Sequence, residues 1–131
     1  MTEKDLVEEV RQFLAAYDAA FQTFEGTRIA PFYHAPCVTV RGDGSIHSFQ
    51  SRPDIEKFFG EVAQKYRADG LHGGTFYDLD IIPIGSRSLL ATVTWEQWRA
   101  DKSVLRKWRQ SYNLVQTEGG LQILAATFHL N

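Results

Sequence analysis

Histidine titrates near neutrality, so the four in this sequence, His34, His47, His72 and His129, are the first candidates for moving a proton. His34 comes just after a short helical segment, from which it could reach the rim of a cavity. His129 lies in the run Ala125-Ala-Thr-Phe-His-Leu on the last predicted strand. Each has a competing reading, a ring that hydrogen-bonds the backbone or faces a subunit interface; His47 and His72 are expected to be exposed. Cys37, three residues from His34, is either a nucleophile or a small buried apolar residue. No His-Glu-x-x-His or comparable spacing is present, so no metal is expected. Gly42-Asp-Gly44 lacks the rest of a dinucleotide fingerprint, and neither Ser45 nor Ser86 sits in a Gly-x-Ser-x-Gly elbow, so no cofactor is expected.

The remaining candidates depend on which faces the predicted elements present. Leu6, Val7, Val10, Phe13, Leu14, Tyr17, Phe21 and Phe24 form one broad helical stripe, which predicts a helix from Glu3 to Thr23. A short second helix is expected over Thr27–Tyr33, stopped by Pro36. Arg41-Gly-Asp-Gly-Ser45 between two apolar runs reads as a hairpin turn. Ser51-Arg-Pro-Asp opens a third helix with a serine cap, its stripe made of Ile55, Phe58, Phe59, Val62, Ala63 and Tyr66, and Gly70 ends it. Strands are predicted at Thr75–Pro83, Ser88–Arg99, Leu105–Thr117 and Leu121–Leu130, with connections short enough for an antiparallel meander.

Three helices must then bury their stripes on one sheet face. The expected fold is α+β, a cone-shaped, strongly curved antiparallel sheet covered on its concave face by three helices, an α+β roll. Strand alternation puts Trp95, Gln97, Trp108, Gln110 and Tyr112 on the covered face beside Tyr17. These side chains either line a mostly apolar pocket for a small lipophilic molecule or fill the core. Trp98 and Val115 point the other way, so a homodimer through the outer sheet face is expected. Asp78 and Asp80 are expected outside, opposite Tyr77, Leu79 and Ile81. The basic run Arg99, Lys102, Arg106, Lys107 and Arg109 either steers an anion to the cone's mouth or is a solvated hairpin tip.

Composition bounds the function class. The 131 residues read as a single domain, with no internal repeat or linker to divide them. Fourteen Lys+Arg against sixteen Asp+Glu leave a net charge of −2, which argues against a nucleic-acid or membrane-surface binder. Without a visible signal sequence, a membrane-length apolar run or a second cysteine, the expected location is the cytoplasm.

The order of elements, Phe32-Tyr-His-Ala-Pro36 leading into the first strand, Ser51-x-x-x-Ile55, Thr94-Trp-Glu96 and Gly119-Gly-x-x-Ile-Leu together resemble the nuclear-transport-factor-2-like superfamily. Within it the chain looks closest to SnoaL-like and ketosteroid-isomerase-like small bacterial proteins. The resemblance implies a phenolic hydrogen-bond donor at Tyr17 and a second donor at Tyr112 or Asn113. The isomerase carboxylate falls on Gly42, so classical isomerase activity is disfavoured, and Asp43 is expected to serve its turn. An epoxide-hydrolase-type set would have to draw on Asp78, Asp80, Arg99 and Arg109. A SnoaL-type acid/base pair would use His34 or His129 as proton acceptor. The expected function is binding of a small apolar or amphipathic molecule in the cone, with cyclase, isomerase or dehydratase-type chemistry as one version. The alternative is a non-catalytic dimerisation or binding module whose cavity is filled by its own aromatics.

Overall fold

The computed structural model describes residues 2–130. Helix α1 spans Glu3–Phe21 and begins in a capping box: Asp5 N donates to Thr2 Oγ1 at 3.1 Å, and Thr2 N donates to Asp5 Oδ2 at 3.2 Å. Its buried face is Val10, Leu14, Tyr17 and Phe21, the inner part of the predicted stripe, together with Ala20. The second helical segment is shorter than predicted and splits into α2, Gly26–Ile29, and one 3₁₀ turn, Ala30–Phe32. Strand β1, Tyr33–Val40, follows at once. Pro36 therefore lies inside a strand rather than stopping a helix. Proline has no N–H for the ladder, and the pairing of β1 jumps between Tyr33 and Val38.

Hairpin partner β2 spans Ile46–Phe49, and α3 spans Arg52–Ala68 behind its Ser51 cap. Ile55, Phe59, Ala63 and Tyr66 bury the centre of the α3 stripe. Four long strands complete the chain: β3 Gly73–Ile84, β4 Ser88–Trp98, β5 Val104–Thr117 and β6 Gly120–Phe128. The sheet order is β2-β1-β6-β5-β4-β3. The meander β3 to β6 and the β1–β2 hairpin are antiparallel, as expected, while β1 joins β6 in parallel. That one parallel pair exists because α3 carries the chain from the hairpin to the opposite sheet edge, a crossover that a tight turn cannot make. The result is the expected α+β roll, a curved, unclosed sheet with its helices on the concave face.

Alternation holds on β4 and β5. Leu89, Ala91, Val93, Trp95 and Gln97 of β4, with Gln110, Tyr112 and Leu114 of β5, are buried under the helices. On β3 it fails once. The pairing with β4 shifts between Tyr77 and Asp80, and Asp78 takes a φ of +54°, so one extra residue is accommodated there. The bulge turns Tyr77 outward, where its hydroxyl reaches Glu96 Oε1 at 3.3 Å, while Phe76, Leu79 and Ile81 pack on the core. The sequence reading had placed Tyr77 inside with Leu79 and Ile81. No described helix is long and apolar enough to cross a membrane.

Candidate functional site

The interior of the cone is mostly filled. Tyr17 from α1 sits edge-on to Phe21, Tyr33 and Tyr112, with ring centroids 5.2, 5.8 and 6.1 Å away, and Tyr33 stacks on Phe59 at 4.3 Å. What remains is a crevice of about 30 Å³ beside Tyr17, enough for one or two waters and far below the size of a drug-like pocket. Tyr17, Trp95, Gln97, Trp108, Gln110 and Tyr112 all line it. These six predicted residues are therefore brought together. Between the pocket and core readings, most of the aromatic bulk goes to the core.

The hydrogen bonds of the crevice decide what it can offer. Trp95 Nε1 donates to Tyr112 Oη at 2.8 Å, so the acceptor side of that phenol is engaged and its own proton is available. Trp108 Nε1 donates to Gln110 Oε1 at 2.9 Å, and Arg106 Nη1 donates to Gln97 Oε1 at 3.3 Å. Both amide oxygens are thus taken, and among the described residues their NH₂ groups find no protein acceptor. The hydroxyls of Tyr17 and Tyr33 bond to each other. Burial, followed by the neighbouring phenols, holds Tyr17, Tyr33 and Tyr112 well above the ordinary tyrosine range. They are donors at any physiological pH and cannot serve as bases.

Two charged groups complete the crevice, and the sequence reading missed both. Asp18 lies half-buried one residue after Tyr17, and burial raises its carboxyl above the usual carboxylate range. Its signal was present: Leu14, Tyr17, Asp18 and Phe21 are spaced i, i+3, i+4, i+7, which puts one acid on an apolar face. Arg41 closes the mouth. Its guanidinium lies 4.8 Å over the Phe128 ring and donates to Tyr66 Oη at 3.0 Å. Burial opposes its charge, but Tyr66 and the other phenols around it more than offset that, so Arg41 is held cationic. Phe128 in turn stacks on Trp108 at 5.3 Å, with the two ring planes 4° apart. Beyond this lid opens a cleft of about 430 Å³, which shares Arg41, Tyr66 and Phe128 with the crevice and adds Phe58, Val62, Lys65 and Arg106.

The other predicted residues lie elsewhere. His34 Nδ1 is 2.9 Å from the Pro36 carbonyl, outside the crevice. His129 is exposed, its Nε2 at 2.7 Å from Ser111 Oγ on the outer sheet face. Asn113 also faces outward and donates to Ser88 Oγ and the Leu89 carbonyl. Inward and outward positions alternate, so Asn113 cannot join Tyr112 in the same site. Burial pushes the Cys37 thiol up to about 11, which opposes a nucleophilic role. Asp43 accepts from Ser45 N and Oγ and closes the hairpin turn. Arg109 is engaged on the outer face with Asp80 at 2.8 Å, and Arg106 pairs with Asp69 at 2.7 Å. Among the described residues no group of three His, Cys, Asp or Glu is placed to hold a metal.

This architecture matches a family profile described as NTF2-like protein (DUF6841) over residues 8–131. The chain belongs to that NTF2-like family. Solved structures agree on the fold. Aln2 from a Streptomyces species superposes with a TM-score of 0.79 at 17% identity, covering 98% of this chain and 93% of that one. The yeast Ubp3-associated protein Bre5 gives 0.75 at 21%, covering 96% and 98%. An NTF2-like protein with a cystatin-like fold from Novosphingobium aromaticivorans gives 0.74 at 14%, covering 92% and 79%. At these identities the likeness is one of fold alone. No curated protein matches the chain in sequence.

Proposed function

We propose that this NTF2-like domain binds a small amphipathic molecule, its polar end in the crevice and its apolar body in the cleft outside. The observation that supports this most is the set of uncommitted polar groups in an aromatic-walled recess, the Tyr112 phenol and the NH₂ groups of Gln97 and Gln110, beside an Asp18 carboxyl that accepts only a 3.5 Å bond from Gln22 Nε2. Such recesses with few convergent polar groups are the usual form of small-molecule sites. In the catalytic version, Tyr17 and Tyr112 polarise a carbonyl or hydroxyl, and Asp18 takes the proton-accepting role expected of His34 or His129. Its raised pKa brings that carboxyl nearer to neutrality, where proton transfer is efficient.

A thermal-shift series with lipophilic carbonyl compounds tests the reading. A ligand at about 100 times its Kd stabilises the folded state by about 2.7 kcal/mol, a rise of several degrees in Tm. The expected result is such a rise in the wild type and a smaller one in Tyr112→Phe, each against its own unliganded Tm. No rise with any compound would remove the site. One observation favours the second reading, a non-catalytic module: the space beside Tyr17 is only about 30 Å³. Bre5, of the same fold, is described in complex with the deubiquitinase Ubp3, so a protein partner is the form that reading takes. We also propose the expected homodimer through the outer sheet face. Light scattering at about twice 14.9 kDa supports it, and a monomer removes it.

A further inference from the structure

Three arginines of the described chain are half-buried: Arg41, Arg106 and Arg109. Two have the partner that a desolvated cation requires, Arg106 with Asp69 and Arg109 with Asp80. Arg41 has none. No carboxylate among the described residues comes within ion-pairing distance of it, and its guanidinium is held by the Phe128 face and the Tyr66 hydroxyl instead. Taking a guanidinium out of water without a counter-ion is costly. One engaged N–H also leaves most of its planar fork of five donors unused.

On the cleft side of Arg41 the one acid, Asp43, is engaged by Ser45 N and Oγ of its own turn. The free groups of Tyr112, Gln97 and Gln110 are all hydrogen-bond donors, because their acceptor atoms are already engaged. Both acids on the crevice are already engaged: Asp18 accepts from Gln22 Nε2 at 3.5 Å, and Glu96 is tied to Tyr77 and Trp98. A recess of about 30 Å³, with these free donors on its wall and an unpaired cation at its mouth, has the size of a head group and suits an anion.

We infer that the ligand of this site is a monocarboxylic acid, with its carboxylate gripped by Arg41 and its apolar body lying in the cleft against Phe58, Val62 and Phe128. This rests on the ligand-binding reading above and names the class of molecule that would fill it. The planar fork fits a carboxylate through two parallel N–H···O bonds. On the crevice itself Arg41 is the one cation among the described residues, with Asp18 and Glu96 on the same wall, which matches one negative charge better than the two of a phosphate monoester.

Calorimetry on the whole chain tests the inference with benzoate, 2-naphthoate and decanoate, their amides, and 2-naphthyl phosphate. A charged hydrogen bond contributes about 1.5–3 kcal/mol, so the best acid is expected to bind roughly ten- to a hundredfold more tightly than its amide. Arg41→Gln is expected to erase that preference, leaving acid and amide with equal affinity. Arg41→Lys, which keeps the charge without the fork, is expected to retain part of it. The acid's affinity alone should fall with added salt. An acid and an amide of equal affinity for the wild type would overturn the carboxylate assignment and leave the amphipathic site standing, with no variant needed. Tighter binding of the phosphate than of 2-naphthoate would overturn it as well. Failure of every acid and amide to bind would overturn both readings.

Discussion

Gly26 and Gly60 face each other where α2 crosses α3, and the same substitution at the two positions is expected to act with opposite sign. A Cβ on Gly26 would lie 2.0 Å from the Glu56 carbonyl oxygen and 2.9 Å from Gly60 N. Both obstacles are backbone, so no side-chain rotation relieves them, and α2 would have to move off α3 by more than an ångström. Overpacking of this kind typically costs about 1–3 kcal/mol, and backbone obstruction puts Gly26→Ala at the upper end. A Cβ on Gly60 would meet only Gly26 Cα and N at 3.6 Å, an ordinary contact. Gly60 lies inside α3, where exchanging glycine for alanine gains up to about 1 kcal/mol of helix propensity. With a urea slope of roughly 1.5 kcal/mol per M, the midpoint should fall by about 2 M for Gly26→Ala and rise by about 0.5 M for Gly60→Ala. Urea titration followed by far-UV circular dichroism measures both. Equal effects at the two positions, or a tolerated Gly26→Ala, would refute the close backbone crossing. That crossing fixes the segment that delivers Tyr33, and through β1 Arg41, to the site.

Three further outcomes follow from buried polar groups. Thr39 is 1% exposed and its Oγ1 has no hydrogen-bond partner among the described residues, so Thr39→Val is expected to stabilise the fold by about 1 kcal/mol; a loss of stability in urea would contradict the orphaned hydroxyl. Tyr112→Phe strips the acceptor from the buried Trp95 indole and should cost about 1–3 kcal/mol, while an unchanged Tm would dispute that hydrogen bond. Asp18 has a raised pKa in the folded chain, so the native state holds its proton more tightly than the unfolded state does. Its contribution is therefore whole below the unfolded carboxylate range and declines as pH rises through the folded value. Asp18→Asn should match the wild type near pH 4 and exceed it increasingly toward pH 7 in urea melts; a gap that does not vary with pH would refute the desolvated carboxylate.

The parts of the molecule written in regular periods were legible in the sequence. The α1 and α3 stripes, the Ser51 cap and the alternation of β4 and β5 brought Tyr17, Trp95, Trp108 and Tyr112 to one recess, because burying apolar faces leaves a helix or strand few alternatives. The hidden parts depend on local backbone events and long-range meetings. One bulged residue at Asp78 reversed Tyr77. The β1–β6 pairing joins segments some ninety residues apart in a direction that no turn signal announces. Arg41 opens a Gly-rich hairpin turn and belongs to no periodic stripe; only the folded chain shows Phe128 and Tyr66 beside it. Pocket and filled core stay open alternatives in the sequence for a related reason. Periodicity says which rings face inward but not how fully they fill the space, and Tyr33 and Phe59 occupy much of it.

A crystal structure of the chain grown with 2-naphthoate examines the central claim, that crevice and cleft form one binding site. The carboxylate should appear beside Arg41 and the Tyr112 hydroxyl, with the ring system in the cleft against Phe58 and Phe128. Ligand density confined to the outer sheet face, with the Trp108–Phe128 stack closed over a crevice holding only water, would contradict it.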